Sequence, residues 1–193
     1  MSKSDPASAK KERNKNIRWV VTIFFTTMLI SGAISIASEA LMSASGIFVA
    51  FIILLAIVLV GIIFDVIGVA VTSADEKPFH SMAARKVAGA QEAIRLLRNA
   101  ERVSSICNDV VGDICGVISG SAAATISVQL VALKGVTAPA AVISLIMSAL
   151  VAAFTVGGKA IGKAFAINNC TNIVYFVGNL IAKVKHPFGK KKS

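Results

Sequence analysis

The sequence is poor in the residues from which most catalytic sites are built. It holds two histidines, His80 and His186, far apart in the chain, and three cysteines, Cys107, Cys115 and Cys170. There is no Cys-x-x-Cys pair and the cysteine count is odd, which argues against a disulfide framework and against a zinc-type site. The cysteines lie in or near apolar stretches and read as small packing residues. No nucleophile–base pair, phosphate-binding loop or metalloprotease motif is present, so the chain is not expected to be an enzyme and no cofactor is implied. Acidic residues are also scarce, 10 Asp and Glu against 20 Lys and Arg, for a net charge of +10. Such an excess can signal nucleic acid. Here no recognition motif accompanies it, and the basic residues cluster beside apolar runs, as the positive-inside rule describes. Nucleic acid is therefore not an expected partner. Strict alternation of apolar and polar residues is missing too, which argues against a membrane barrel.

What the chain does have is long unbroken apolar runs. Of its 193 residues 55% are hydrophobic, and the mean hydropathy is +0.77. Runs of about 20 apolar residues read as membrane-spanning helices. The expected fold is all-α: a polytopic membrane helix bundle of about four transmembrane helices with a cytosolic amphipathic helical segment. The lipid bilayer is the first expected partner.

Residues 1–18 carry Lys10, Lys11, Arg13, Lys15 and Arg18 against Asp5 and Glu12. They read as a disordered basic tail that sets orientation and has the charge to meet anionic lipid. The run Trp19 to Ala37 opens an extra N-terminal helix over 19–41, either a cleaved signal peptide or a retained anchor. Its apolar part exceeds the roughly 7–15 residues of a signal core, which favours retention. Residues 38–46 hold no Lys or Arg and suit a short external loop. Ile47 to Ser73 forms the second span. In 76–102, Phe79, Met82, Val87, Ala90, Ile94 and Leu97 recur at helical spacing, with His80, Arg85, Lys86, Gln91, Glu92, Arg95 and Arg98 on the other faces. This predicts an amphipathic segment broken near Gly89, either capping the bundle or lying in the lipid interface.

Val103 to Leu133 is the third span, rich in small residues that let backbones approach closely. Lys134 to Thr137 reads as a tight external turn, with Pro139 opening the next helix. Ala140 to Val156 is the fourth span. It continues into VGGKAIGKAFA, where glycines 157, 158 and 162 are expected to weaken the helix. Ile173 to Ile181 is too short to span and should pack on the bundle or lie at the inner surface. Residues 183–193 form a second basic tail. Four spans place both termini on one side. The positive-inside rule makes that side the cytoplasm of a multi-pass cell-membrane protein.

Charge inside these spans points to function. An ionisable group at membrane depth costs several kcal/mol (about 3 or more) unless paired or wet. Asp65 sits about seven residues from the inner end of its helix, roughly 10 Å deep at 1.5 Å per residue. Asp109 and Asp113 are four apart, as are Lys159 and Lys163, so each pair is expected on one helix face. Three readings remain open. The carboxylates, with Asn108, Thr72, Ser73 and freed carbonyls, can form an oxygen-lined site of the kind a hard cation such as magnesium takes. Alternatively Asp and Lys neutralise each other as internal ion pairs and only fix helix register. Thirdly, they relay protons. Ion pairing is the plainest reading, because a buried lysine competes directly with a cation.

Phe64 to Ser73 is similar to the end of the first helix of the cyclin M / CorB–CorC family of magnesium and cobalt transporters, whose pattern there is F-S-x-x-E-T-A-L-T-S. Phe64, Ala70, Thr72 and Ser73 match it. The basic amphipathic segment and Asn99-Ala100-Glu101-Arg102 resemble the family's juxtamembrane helices. Gly112-Asp113 lies near its Gly-Asn, with about a two-residue insertion. Gly158 to Ala166 follows its G-E-I-I-P-K-T-I-A. The resemblance covers residues 46–182.

The resemblance implies a three-helix transmembrane domain, usually a homodimer, with an inward-facing site for dehydrated magnesium as the transported ion. Carried over by position, and joined with the neighbouring polar residues, the metal candidates are Asp65, Asn108, Asp109, Asp113 and Gly158. Three departures bear on that site: Lys159 replaces the acidic residue of Gly-Glu, Gly162 replaces the proline and Gly68 replaces a glutamate. Either an Asp65–Lys159 pair then occupies the place of the ion, or the acid has moved to another helix and Lys159 points away. The family's paired nucleotide-sensing domains do not follow in this sequence, so a separate regulatory subunit is the expected partner for control. The rival expectation is a non-transporting structural or partner-binding membrane protein.

Overall fold

The computed structural model describes residues 6–43, 45–132 and 139–185. The chain is helical, and among the described residues there is no strand. Eight α-helices follow in order: α1 (Pro6–Ser43), α2 (Ile47–Ser73), α3 (Lys77–Ala84), α4 (Ala90–Arg98), α5 (Ala100–Ser104), α6 (Gly112–Val131), α7 (Ala140–Asn168) and α8 (Cys170–Lys185). A π-helical turn, Ser105–Val111, joins α5 to α6 and makes one continuous rod of them. Four segments are long and apolar enough to cross a membrane: Ile17–Met42, Ile47–Ser73, Ala100–Val131 and Ala140–Asn168. The expected all-α bundle with four such helices is thus present. The predicted turn at Lys134–Thr137, along with His186 and most of the C-terminal tail, lies outside the described residues.

Helices α2, α6 and α7 each pack on the other two. Their contact surfaces are built from small residues. Gly61 of α2 faces Cys115 of α6, where an added Cβ would lie 3.0 Å from the Cys115 Cβ. Gly158 and Gly162 of α7 face Ile62 and Val66 of α2, and a Cβ on Gly162 would come within 2.7 Å of the Val66 Cγ2. The two glycines and the two branched residues share a four-residue spacing, so ridges on α2 seat into a groove on α7. This is why α7 continues without a break to Asn168, against the expectation that its glycines would weaken it. The close packing they permit offsets their conformational cost. Further out, Met42, Ala50, Leu54, Val58, Ala122, Ile126 and Met147 form a second buried cluster.

Two sequence expectations about α1 are corrected. The basic segment expected to be disordered is helical from Pro6, consistent with Pro at the first helical position followed by good helix formers such as Ala, Lys and Glu. At the other end, the helix runs through most of the expected loop to Ser43. There Gln129 Nε2 donates to the Met42 carbonyl at 3.1 Å and satisfies one of the orphan acceptors of the helix end. Helix α1 packs mainly on α6.

The amphipathic segment divides as expected. Gly89 takes φ of +83°, a left-handed conformation that strongly favours glycine, and separates α3 from α4. Ala90, Ala93, Ile94 and Leu97 are buried, whereas Val87, expected on the same face, lies exposed in the linking loop. Helix α8 packs across α4 and α2. Its Gly178 approaches the Gly89 carbonyl and the Ala93 amide so closely that a Cβ would fall within 2.9 Å of both. The resulting platform shares one core with the end of α2: Ala70, Val71, Phe79, Ala93, Ile94, Leu97, Ala166 and Val174.

Phe79 is fully buried in that core, so Phe79→Ala is expected to cost about 3–5 kcal/mol. Thermal unfolding of purified protein in detergent would register this as a lowered midpoint. Gly162→Leu should likewise separate α2 from α7 and lower the midpoint, whereas Gly157→Leu, which has open space around it, should leave it nearly unchanged.

Candidate functional site

The buried charge lies where the three glycine-lined surfaces converge. Asp65 follows Gly61 by four residues and precedes Gly68 by three, so all three share the face of α2 turned toward α6. Asp65 is 4% exposed. Its Oδ1 stands 4.0 Å from Nζ of Lys159 on α7, the outer limit of an ion pair. Its Oδ2 is buried and, among the described residues, receives no hydrogen bond.

The wall opposite Asp65 is the rod that contains the π-helical turn. Here the Gly112 amide donates to the Cys107 carbonyl, five residues back. Asn108 lies within this turn. Its Nδ2 donates to the Ser104 hydroxyl at 3.2 Å, while its Oδ1 is buried without a donor. The Asn108 amide packs directly on Gly68, and a Cβ there would lie 2.8 Å from the Asn108 Cγ. Gly112 makes room in turn for Lys159, whose Nζ is 3.3 Å from where a Gly112 Cβ would stand. Asn108 and Lys159 therefore each face a glycine on a neighbouring element. An unpaired buried acceptor costs about 1–3 kcal/mol. Two acceptors, Asp65 Oδ2 and Asn108 Oδ1, are left with capacity for a proton, a water or a cation.

The other sequence candidates do not join this junction. Asp109 is exposed, accepts a hydrogen bond from Ser105 Oγ at 2.9 Å and lines a groove against α1. Asp113 is exposed. Gly158 is packed on Ile62. The Thr72 hydroxyl is spent on its own helix, bonding the Val69 carbonyl at 2.9 Å, and Ser73 is exposed. Lys163 is exposed as well, so Lys159 alone of the lysine pair turns inward. The described residues hold no group of three or more His, Cys, Asp or Glu placed to share a metal ion. Asn108 and Gly112 turn to α2 and α7, whereas Asp109 and Asp113 share the exposed side of the rod, where Asp109 lines the groove on α1.

What sequence reading missed is the fit of glycines against polar groups, with Gly68 on Asn108 and Gly112 beside Lys159. The available signal was Ser104, one helical turn before Asn108. No local pattern marks the π-helical turn itself.

Removing one partner of a buried pair leaves an uncompensated charge and costs about 3–5 kcal/mol. Lys159→Gln is therefore expected to destabilise the fold, and Asp65→Asn/Lys159→Gln to recover most of the loss. A double-mutant cycle by thermal unfolding in detergent tests this coupling, and additive losses would show that the two side chains act independently.

No family model, curated protein or solved structure matches this chain.

Proposed function

We propose that this chain is an integral membrane transporter for a hard divalent cation, magnesium or cobalt, working by alternating access. The observation that supports this reading best is the pair of buried acceptor oxygens without donors, Asp65 Oδ2 and Asn108 Oδ1. They lie on α2 and on the rod that packs against it. Oxygen donors of this kind suit hard cations, and π-helical turns inside longer helices occur frequently at functional sites. The resemblance of residues 46–182 to the cyclin M / CorB–CorC transmembrane domain agrees with this reading. In it, Asp65 supplies charge and Asn108 a neutral oxygen, while Lys159 swings away from Asp65 when the ion enters. Both termini lie in the cytoplasm, the site opens to that side, and the chain pairs as a homodimer in the cell membrane.

One observation favours a second reading. Lys159 Nζ lies 4.0 Å from Asp65 Oδ1, so an ammonium already stands beside the only carboxylate at the junction. In that reading the pair replaces the ion, and the protein is a structural or partner-binding membrane component.

Magnesium flux into proteoliposomes containing the purified protein separates the two. Transport predicts flux in the wild type, at least about tenfold lower flux in Asp65→Ala, and reduced flux in Asn108→Ala, with all three proteins folded. A folded wild type without flux would support the second reading.

A further inference from the structure

Helix α1 is held at two places, near Ser38 and Met42 and at Trp19, and its residues between them are exposed or half-buried. Near its outer end Ser38 and Met42 are buried, and Gln129 holds the Met42 carbonyl. Near its inner end the Arg102 guanidinium lies over the Trp19 ring, 5.1 Å from the centroid. Between these anchors a groove of about 650 Å³ runs along the π-helical turn, lined in part by Trp19, Phe24, Thr27, Ser31, Ser105 and Asp109. Its size is that of a small-molecule site.

The lining is apolar with one charge. Asp109 is a carboxylate about two turns beyond Arg102, at a depth where an unpaired charge is costly. Among the described residues its one recorded partner is the neutral Ser105 hydroxyl, and no basic side chain pairs with it there. A second polar atom in the same groove lacks a partner: the Thr27 hydroxyl is buried and unbonded. The groove thus offers a negative counter-charge and aromatic side chains beside a helix that meets lipid. Aromatic rings attract cations through their faces, and a carboxylate with no basic partner attracts positive charge. Arg102 closes the inner end and would repel a positive head placed there, which directs such a head toward Asp109.

We propose that the groove between α1 and the π-helical turn binds lipophilic cations: amphiphiles whose positive centre pairs with Asp109 and whose apolar body lies along Trp19 and Phe24. This site is separate from the Asp65 junction and does not depend on metal transport.

Trp19 is the only tryptophan in the chain and lies in the groove, so its fluorescence reports on occupancy. The probes are tetraphenylphosphonium and tetraphenylborate, ions of matching shape and opposite charge, titrated into the full-length protein in a neutral detergent. The phosphonium is expected to change Trp19 emission saturably, and the borate is not. Asp109→Asn, a substitution at an exposed position that keeps an acceptor for Ser105, should weaken the phosphonium response about tenfold or more. Asp109→Glu should retain it. Equal responses to both ions would mean partition into the micelle and overturn the proposal. So would an undiminished response in Asp109→Asn, or its loss in a folded Asp109→Glu.

Discussion

Helix α2 meets both of its neighbours at positions where one side of the contact has no side chain. Gly61 and Gly68 give way to Cys115 and Asn108, and Gly158 and Gly162 give way to Ile62 and Val66. Between lipid-immersed helices no hydrophobic effect drives association, because the surrounding acyl chains are as apolar as leucine. Close van der Waals contact and polar pairing must hold them instead. The remaining features of the bundle depend on this closeness. It brings Lys159 within reach of Asp65, sets Asn108 against α2 and excludes most solvent from the carboxylate.

The π-helical turn uses the space that the glycines create. Neighbouring residues of this turn face different elements. Asn108 and Gly112 turn toward the protein interior, and Asp109 turns outward to the groove on α1. Two polar sites of different character are thereby separated by a single residue in sequence. One lies in a tight three-helix junction beside an ammonium group. The other lies in an apolar groove open at the side, with Ser105 as its neighbour.

The platform of α3, α4 and α8 ties the inner ends of the spans together. Its core includes Ala70 and Val71 from α2 and Ala166 from α7, packed with Phe79, Leu97 and Val174. A shift of α7 relative to α2, of the kind that would separate Lys159 from Asp65, would have to be accommodated there. On its outer surface the platform carries charge in short-range pairs. Glu92 receives Arg95 at 2.8 Å and Lys185 at 3.5 Å, and Glu76 meets Arg98 at 3.8 Å. Such exposed pairs contribute little stability, about 0–1 kcal/mol each. The apolar core and the glycine contacts between α4 and α8 therefore do more to hold it.

The number of long helices, their order and the break at Gly89 were all determined by the sequence alone. Each follows from a local property: apolar run length, helical periodicity, or the backbone freedom of glycine. Asp65 was legible for the same reason, since a lone carboxylate in an apolar run needs no structure to be noticed. The Asp65–Lys159 pair was named from the sequence as one of the open readings, but which of the other charges stay out of it was decided only by the tertiary structure. Four-residue spacing grouped Asp109 with Asp113 and Lys159 with Lys163, and the folded chain selects Lys159, leaving the other three exposed. Helix spacing can state which residues share a face of one helix. Which neighbour that face meets depends on how closely glycines let the backbones approach, and that is a property of helices already packed together.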